Sequence, residues 1–192
     1  MSDPDYPTTA AVRVLREQGV SFEGHLYEYR DRGGTAASAA ALGIAEHSVV
    51  KTLVMETDGK APLIVLMHGD KQVSTKALAR AMGVKSVSPC KPETADRHSG
   101  YQVGGTSPFG TRAAMPVYLQ KTVLKLPKIY INGGAKGFLV SLDPKELVRV
   151  LNPVLVDAAS IPNKTIKQGT AAVYRPKTRR LGALTPGTSG ME

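Results

Sequence analysis

The stretch Tyr101-Gln-Val-Gly-Gly-Thr-Ser-Pro-Phe-Gly-Thr-Arg112 has the period of neither a helix nor a central strand. Gly104, Gly105 and Gly110 allow close backbone approach and positive φ. Pro108 fixes its own φ and drives Ser107 toward an extended conformation. The chain on both sides must therefore fold around a stiff loop. Its backbone N–H groups, with the Thr106 and Ser107 hydroxyls, are then placed to face a ligand. The plainer reading of the same residues is a tight turn between two strands.

Around this loop the pattern mixes hairpins and helices. Thr8 or Thr9 caps a helix to about Gln18, and Gly19 stops it. Phe22 to Tyr29 alternates and reads as a strand. Arg32-Gly-Gly34 turns the chain, and Thr35 caps an alanine-rich helix ending at Gly43. Val49 to Glu56 and Leu63 to Met67 form a hairpin about Asp58-Gly59. Ser74 caps a helix from Thr75 to Met82, and Lys91-Pro92-Glu93 starts a short one. Met115 to Leu119, Lys128 to Asn132 and Phe138 to Leu142 read as strands. Asp143-Pro144 opens a helix to Leu151, and Val154 to Val156 is a last strand. Strands and helices do not alternate strictly, so the fold class is mixed α/β, α+β-like, and not doubly wound.

Residues 1–157 read as one domain and residues 158–192 as a flexible basic tail. The tail holds six of the 25 Lys and Arg residues but one of the 16 Asp and Glu. The formal net charge of +9 favours an anionic partner, most readily nucleic acid. No apolar run approaches the roughly 18 residues of a membrane span. The N-terminus has neither the basic nor the apolar region of a signal peptide, and a single cysteine excludes an internal disulfide framework. These features suit the cytoplasm.

Lys51 interrupts the apolar run Val-Val-Lys-Thr-Leu-Val. An ammonium there costs free energy unless it reaches solvent or an anion. It is therefore either an outward-facing surface lysine or a site residue. Asn132-Gly133-Gly134 forms a second glycine loop that lacks the spacing of a P-loop. Cys90 reads as a small packing residue, not a nucleophile. The four histidines are scattered without metal-ligand spacing, and no cofactor motif is present. Gly-Thr-Ser107-Pro-Phe-Gly is not the Gly-x-Ser-x-Gly of a hydrolase elbow. A hydrolase built from these residues must work by positioning and electrostatics.

Three ordered segments, Val49-Val-Lys-Thr-Leu-Val54, Gly104-Gly-Thr-Ser-Pro-Phe-Gly110 and Ile129-Tyr-Ile-Asn-Gly-Gly-Ala-Lys-Gly137, resemble the YbaK family, free-standing relatives of the editing domain of bacterial prolyl-tRNA synthetase. The resemblance covers roughly Thr8 to Asp157. It implies a mixed, partly barrel-like sheet with helices around it, and removal of a wrong amino acid from a mischarged tRNA, most readily Cys-tRNA(Pro), with Ala or another small residue as alternatives. It implies catalytic roles for Lys51, Gly105, Thr106 and Ser107, and substrate binding by Tyr27, Gly104, Pro108, Asn132, Gly133 and Gly134. The partners implied are the tRNA acceptor end and a prolyl-tRNA synthetase. Two positions depart from relatives: Leu139 stands where some carry an acid, and Gly34 falls near an aromatic pocket wall.

Overall fold

The structure, a computed structural model, describes residues 5–162. In chain order its elements are α1 Ala10–Glu17, β1 Glu23–Leu26, α2 Gly34–Leu42, β2 Val49–Thr57, β3 Pro62–His68, β4 Gln72–Val73, α3 Thr75–Met82, β5 Val87–Pro89, α4 Pro92–Ser99, β6 Val117–Gln120, β7 Ile129–Ala135, β8 Phe138–Leu142, α5 Lys145–Leu151, β9 Val154–Val156 and β10 Ala159–Ser160. Short 3-10 turns occupy Glu46–Ser48 and Lys121–Lys125.

One mixed sheet runs β1-β8-β7-β2-β3-β6-β9, and β5 joins the far half of β2 through Met55↔Pro89 to Thr57↔Val87. The alternation of strand side chains builds a core on each face. Val50, Ile64, Leu66, Ile131 and Val140 meet α1 and α5 on one side. Met55, Leu63 and Val65 meet Leu78 and Ala79 of α3 on the other. The mixed α/β class read from the sequence is the observed one.

Capping explains where the helices begin. The Thr9 hydroxyl accepts from the Val12 N–H, and the Ser74 hydroxyl from the Ala77 N–H. Thr35 departs from its expected role. The N-cap of α2 is Gly33, and the Thr35 hydroxyl instead donates to Glu46 Oε1 at 2.7 Å and contacts the Gly69 carbonyl oxygen at 3.2 Å. The strand expected to reach Tyr29 stops at Leu26, where its partner β8 begins at Phe138. Only the Tyr27 N–H still reaches across, to the Gly137 carbonyl.

Packing against the sheet continues past residue 157. Ala158 is buried, and its N–H donates to Gln120 Oε1 at 2.9 Å. Ala159 and Ser160 then pair with Val73 and Gln72. These contacts are made mostly by this segment's backbone, so the small residues Ala158, Ala159 and Ser160 give little sequence signal of them. The basic segment from 163 onward lies outside the described residues.

His68, at the end of β3, is buried. Its Nδ1 lies 2.8 Å from the His47 carbonyl and its Nε2 2.8 Å from the Thr122 hydroxyl. A neutral ring donating from Nδ1 and accepting at Nε2 satisfies both partners. Burial holds its pKa below the ordinary histidine value; the His47 carbonyl and the Asp70 carboxylate oppose the shift, and the His47 and Lys71 charges add to it. Because the folded pKa is depressed, the unfolded chain takes up the proton first as pH falls. Stability is therefore expected to be full above about pH 6.5 and to decline as the solution is acidified below it. Denaturant midpoints measured from pH 8 to 5 test this, and His68→Gln should flatten the slope. A midpoint unchanged between pH 7 and 5 contradicts it.

Candidate active site

The site begins where two parallel neighbours part. β2 pairs with β7 only at Val49↔Tyr130 and Val50↔Ile131. The pairing ends there, and Lys51 and Asn132 are the next residues on the two strands. There β7 is deflected by an irregularity between Asn132 and Ala135. In β2, which is otherwise mostly buried, Lys51, Thr52 and Leu53 are consecutively half-exposed. A crevice opened where parallel strands separate is the usual ligand position in α/β sheets.

Lys51 is held over this opening by its amine, which donates to the Gly69 carbonyl at 3.1 Å. Gly69 sits in the turn after β3, and a side chain there would strike the Glu46 carbonyl and Thr35. Burial lowers the Lys51 pKa from its ordinary value, and the Glu46 and Asp70 carboxylates pull it back. A half-buried ammonium with one neutral hydrogen bond has capacity left for an anionic or carbonyl oxygen.

The two glycine loops are joined to each other by Asn132. Its Nδ2 donates to the Gly104 carbonyl at 3.1 Å, and its Oδ1 accepts from the Gly134 N–H at 2.7 Å. Gly104 has φ +91°, a value that favours glycine, and a side chain there would overlap the Tyr29 hydroxyl. At Gly105 a methyl would lie 3.0 Å from the backbone of Ala135 and Lys136, so the loops touch main chain to main chain. The Thr9 hydroxyl donates to the Gly133 carbonyl and fixes the second loop to the start of α1. The sequence-stretch Tyr101–Arg112 is thus a loop seated on the β7–β8 turn, not a tight turn between strands.

Several expected contacts fall elsewhere. Ser107 is fully buried, and its hydroxyl accepts from the Phe109 N–H at 3.4 Å. The Thr106 hydroxyl donates to the Gln102 carbonyl at 3.4 Å. The Ser107 hydroxyl is enclosed in the loop, whereas Thr106 is half-exposed. Pro108 is buried and lines a partly open pocket of about 360 Å³ together with Val14, Gln18, Ile64, Phe109, Thr111 and Leu151. Tyr27 packs with Ala39, Val49 and Leu139, and burial, with the Tyr29 charge, pushes its phenol up. The aromatic that reaches the first loop is Tyr29, over whose ring the Lys136 amine lies at 5.3 Å.

One residue next to Lys51 carried no signal in the sequence. Among the described residues, Thr52 Oγ1 is a buried side-chain oxygen with no hydrogen-bond partner. Unpaired buried hydroxyls cost free energy and are rare; strand alternation points this one to the face of β2 opposite Lys51. The Cys90 thiol is pushed up by burial, with the Glu56 charge adding to the shift, which disfavours the reactive thiolate. Among the described residues no group of three or more His, Cys, Asp or Glu could hold a metal, and no helix is long and apolar enough to cross a membrane.

Comparison with known proteins follows this geometry. A family model described as the aminoacyl-tRNA editing domain matches residues 32–150, which include Lys51 and both glycine loops. A protein of Enterococcus faecalis named "Putative Cys-tRNA(Pro)/Cys-tRNA(Cys) deacylase EbsC" is 27% identical over 145 residues, covering 75% of this chain and 88% of its own. A proline–tRNA ligase of Nitratidesulfovibrio vulgaris is 31% identical over 99 residues, which are 52% of this chain and 17% of the ligase. Among solved structures, a "putative trans-editing enzyme for prolyl tRNA synthetase" has a TM-score of 0.69 at 22% identity, covering 81% of this chain and 99% of its own. The fold is shared with it.

Proposed function

The chain belongs to the aminoacyl-tRNA editing domain family, and from that premise we propose that it hydrolyses the ester joining a wrong amino acid to the terminal ribose of a mischarged tRNA, with Cys-tRNA(Pro) as its principal substrate. The observation that supports the reading is the tie between the two glycine loops, made by Asn132 to the Gly104 carbonyl and the Gly134 N–H, with the half-buried Lys51 ammonium carried by the strand paired to β7.

In this scheme Lys51 binds the phosphate or ribose of the terminal nucleotide. The Gly105 and Gly134 N–H groups are spent on Gln102 and Asn132, so the amide of Thr106 is the donor assigned to the ester carbonyl. A preorganised donor of this kind contributes about 3 kcal/mol to the barrier. With cysteine as cargo, its sulfur attacks its own carbonyl carbon, the bond from that carbon to the ribose oxygen breaks, and the ribose oxygen takes the thiol proton. Water then opens the thiolactone. A methyl differs from a thiol by too little for size alone to exclude alanine. A prolyl-tRNA synthetase would supply tRNA choice. A small-ester hydrolase using Ser107 is disfavoured, since that hydroxyl is buried and turned to Phe109.

The test is amino-acid release from tRNA(Pro) carrying Cys, Ala or Pro. Cys should be released fastest and Pro slowest. Release of Ala alone moves the substrate, and no release from any of the three removes the activity.

A further inference from the structure

The stem of the first glycine loop borders a second exposed surface. Residues 100 and 112 lie together at that stem: the Arg112 N–H donates to the Ser99 carbonyl, the Ala113 N–H to the His98 carbonyl, and a methyl on Gly100 would lie 3.4 Å from the Arg112 Cβ. An open depression of about 330 Å³ lies there, lined by Arg97 and Arg112, by the exposed Gln102, and by Glu93 and Asp96. Neither guanidinium has a carboxylate within ion-pair distance among the described residues. Glu93 and Arg97 stand four apart on α4, a spacing at which a pair commonly forms, yet they are not paired. Asp96 is engaged otherwise, its Oδ1 accepting from the Val103 N–H at 3.1 Å. That bond fixes the loop tip, where Val103 is 51% exposed beside Gly104.

We propose that Arg97 and Arg112 bind a backbone phosphate of the single-stranded acceptor end, with Val103 packing against a neighbouring base. The inference rests on the reading that the substrate is a tRNA. Unpaired guanidiniums are forks matched to phosphate oxygens. Gln102 links the two sides of the loop. Its carbonyl accepts from the Gly105 N–H at 2.8 Å and from the Thr106 hydroxyl, so a residue lining the depression is bonded directly to the Gly105–Thr106 turn. The surface thus adds affinity and direction, and the chemistry stays with Lys51 and the loops.

The experiment compares wild type with Arg97→Gln, Arg112→Gln and the double variant. The probe is an uncharged acceptor-stem minihelix, with and without its unpaired 3′ nucleotides, titrated from 50 to 300 mM salt. Each variant should bind the complete minihelix about tenfold more weakly, and the slope of log K against log salt should fall by about 0.7 per lost contact. The truncated minihelix should not distinguish the variants from wild type. In deacylation KM should rise about tenfold, with kcat within twofold. Unchanged affinity and slope in the double variant overturn the proposal. So does a fall in kcat with KM and slope unchanged, which would mark the arginines as structural. A wild type that releases no amino acid but still binds the complete minihelix through these arginines ends the deacylase reading and leaves this surface standing.

Discussion

Lys51→Ala is expected to lower kcat/KM for Cys-tRNA(Pro) by at least about 100-fold, as loss of one preorganised charged contact in a water-poor site does. The amine is held at the mouth of the crevice by the Gly69 carbonyl alone, so its removal strands no carboxylate. The fold should therefore survive, with a thermal midpoint near that of wild type. Lys51→Arg should recover little, because a bulkier planar fork does not reproduce a compact point charge seated in this turn. The pH profile carries a second signature. Burial lowers the Lys51 pKa, so its charge is lost as pH rises through a value below that of an ordinary lysine. Activity should fall on the alkaline side before about pH 10.4. A folded Lys51→Ala protein that deacylates at the wild-type rate would remove the cation from the mechanism.

The strong local signals in the sequence were legible. Ser74 with Gly83, and Pro92 at the start of α4, bracket helices as their chemistry requires. The hairpin of β2 and β3 follows from two apolar runs about Asp58-Gly59. Lys51 stood out because a charge inside an apolar run needs a reason. Side-chain direction was not legible. A Gly-Thr-Ser-Pro string is polar and stiff, yet Ser107 and Pro108 are buried, which residue type alone does not tell. Tyr27 and Tyr29 lie two apart in one run, and nothing local in the sequence marks Tyr29 as the ring beside Gly104. The parting of β2 from β7 has no local code at all. It depends on a parallel pairing between segments about 80 residues apart, which only tertiary structure reveals.

Asn132 is where that non-local geometry can be tested. Its two hydrogen bonds join loops that are otherwise separate in sequence, through the Gly104 carbonyl and the Gly134 N–H. A neutral hydrogen bond contributes about 1 kcal/mol net, so Asn132→Ala should cost about 2 kcal/mol of stability. For a domain of this size that is a fall of roughly 4–8 °C in Tm. The catalytic loss should be larger. Displacement of the first loop by about 1 Å from the second can cost about 100-fold, because the Thr106 donor and the Lys51 ammonium no longer address one substrate. Asn132→Asp separates the two halves of the tie. It keeps an acceptor for the Gly134 N–H but sets an anionic oxygen against the Gly104 carbonyl, so it should lose activity at least as severely as alanine. If Asn132 instead touched substrate directly, activity would fall while the Tm of the ligand-free protein stayed put. Wild-type kcat/KM and Tm in Asn132→Ala would show that the loops hold their spacing without it.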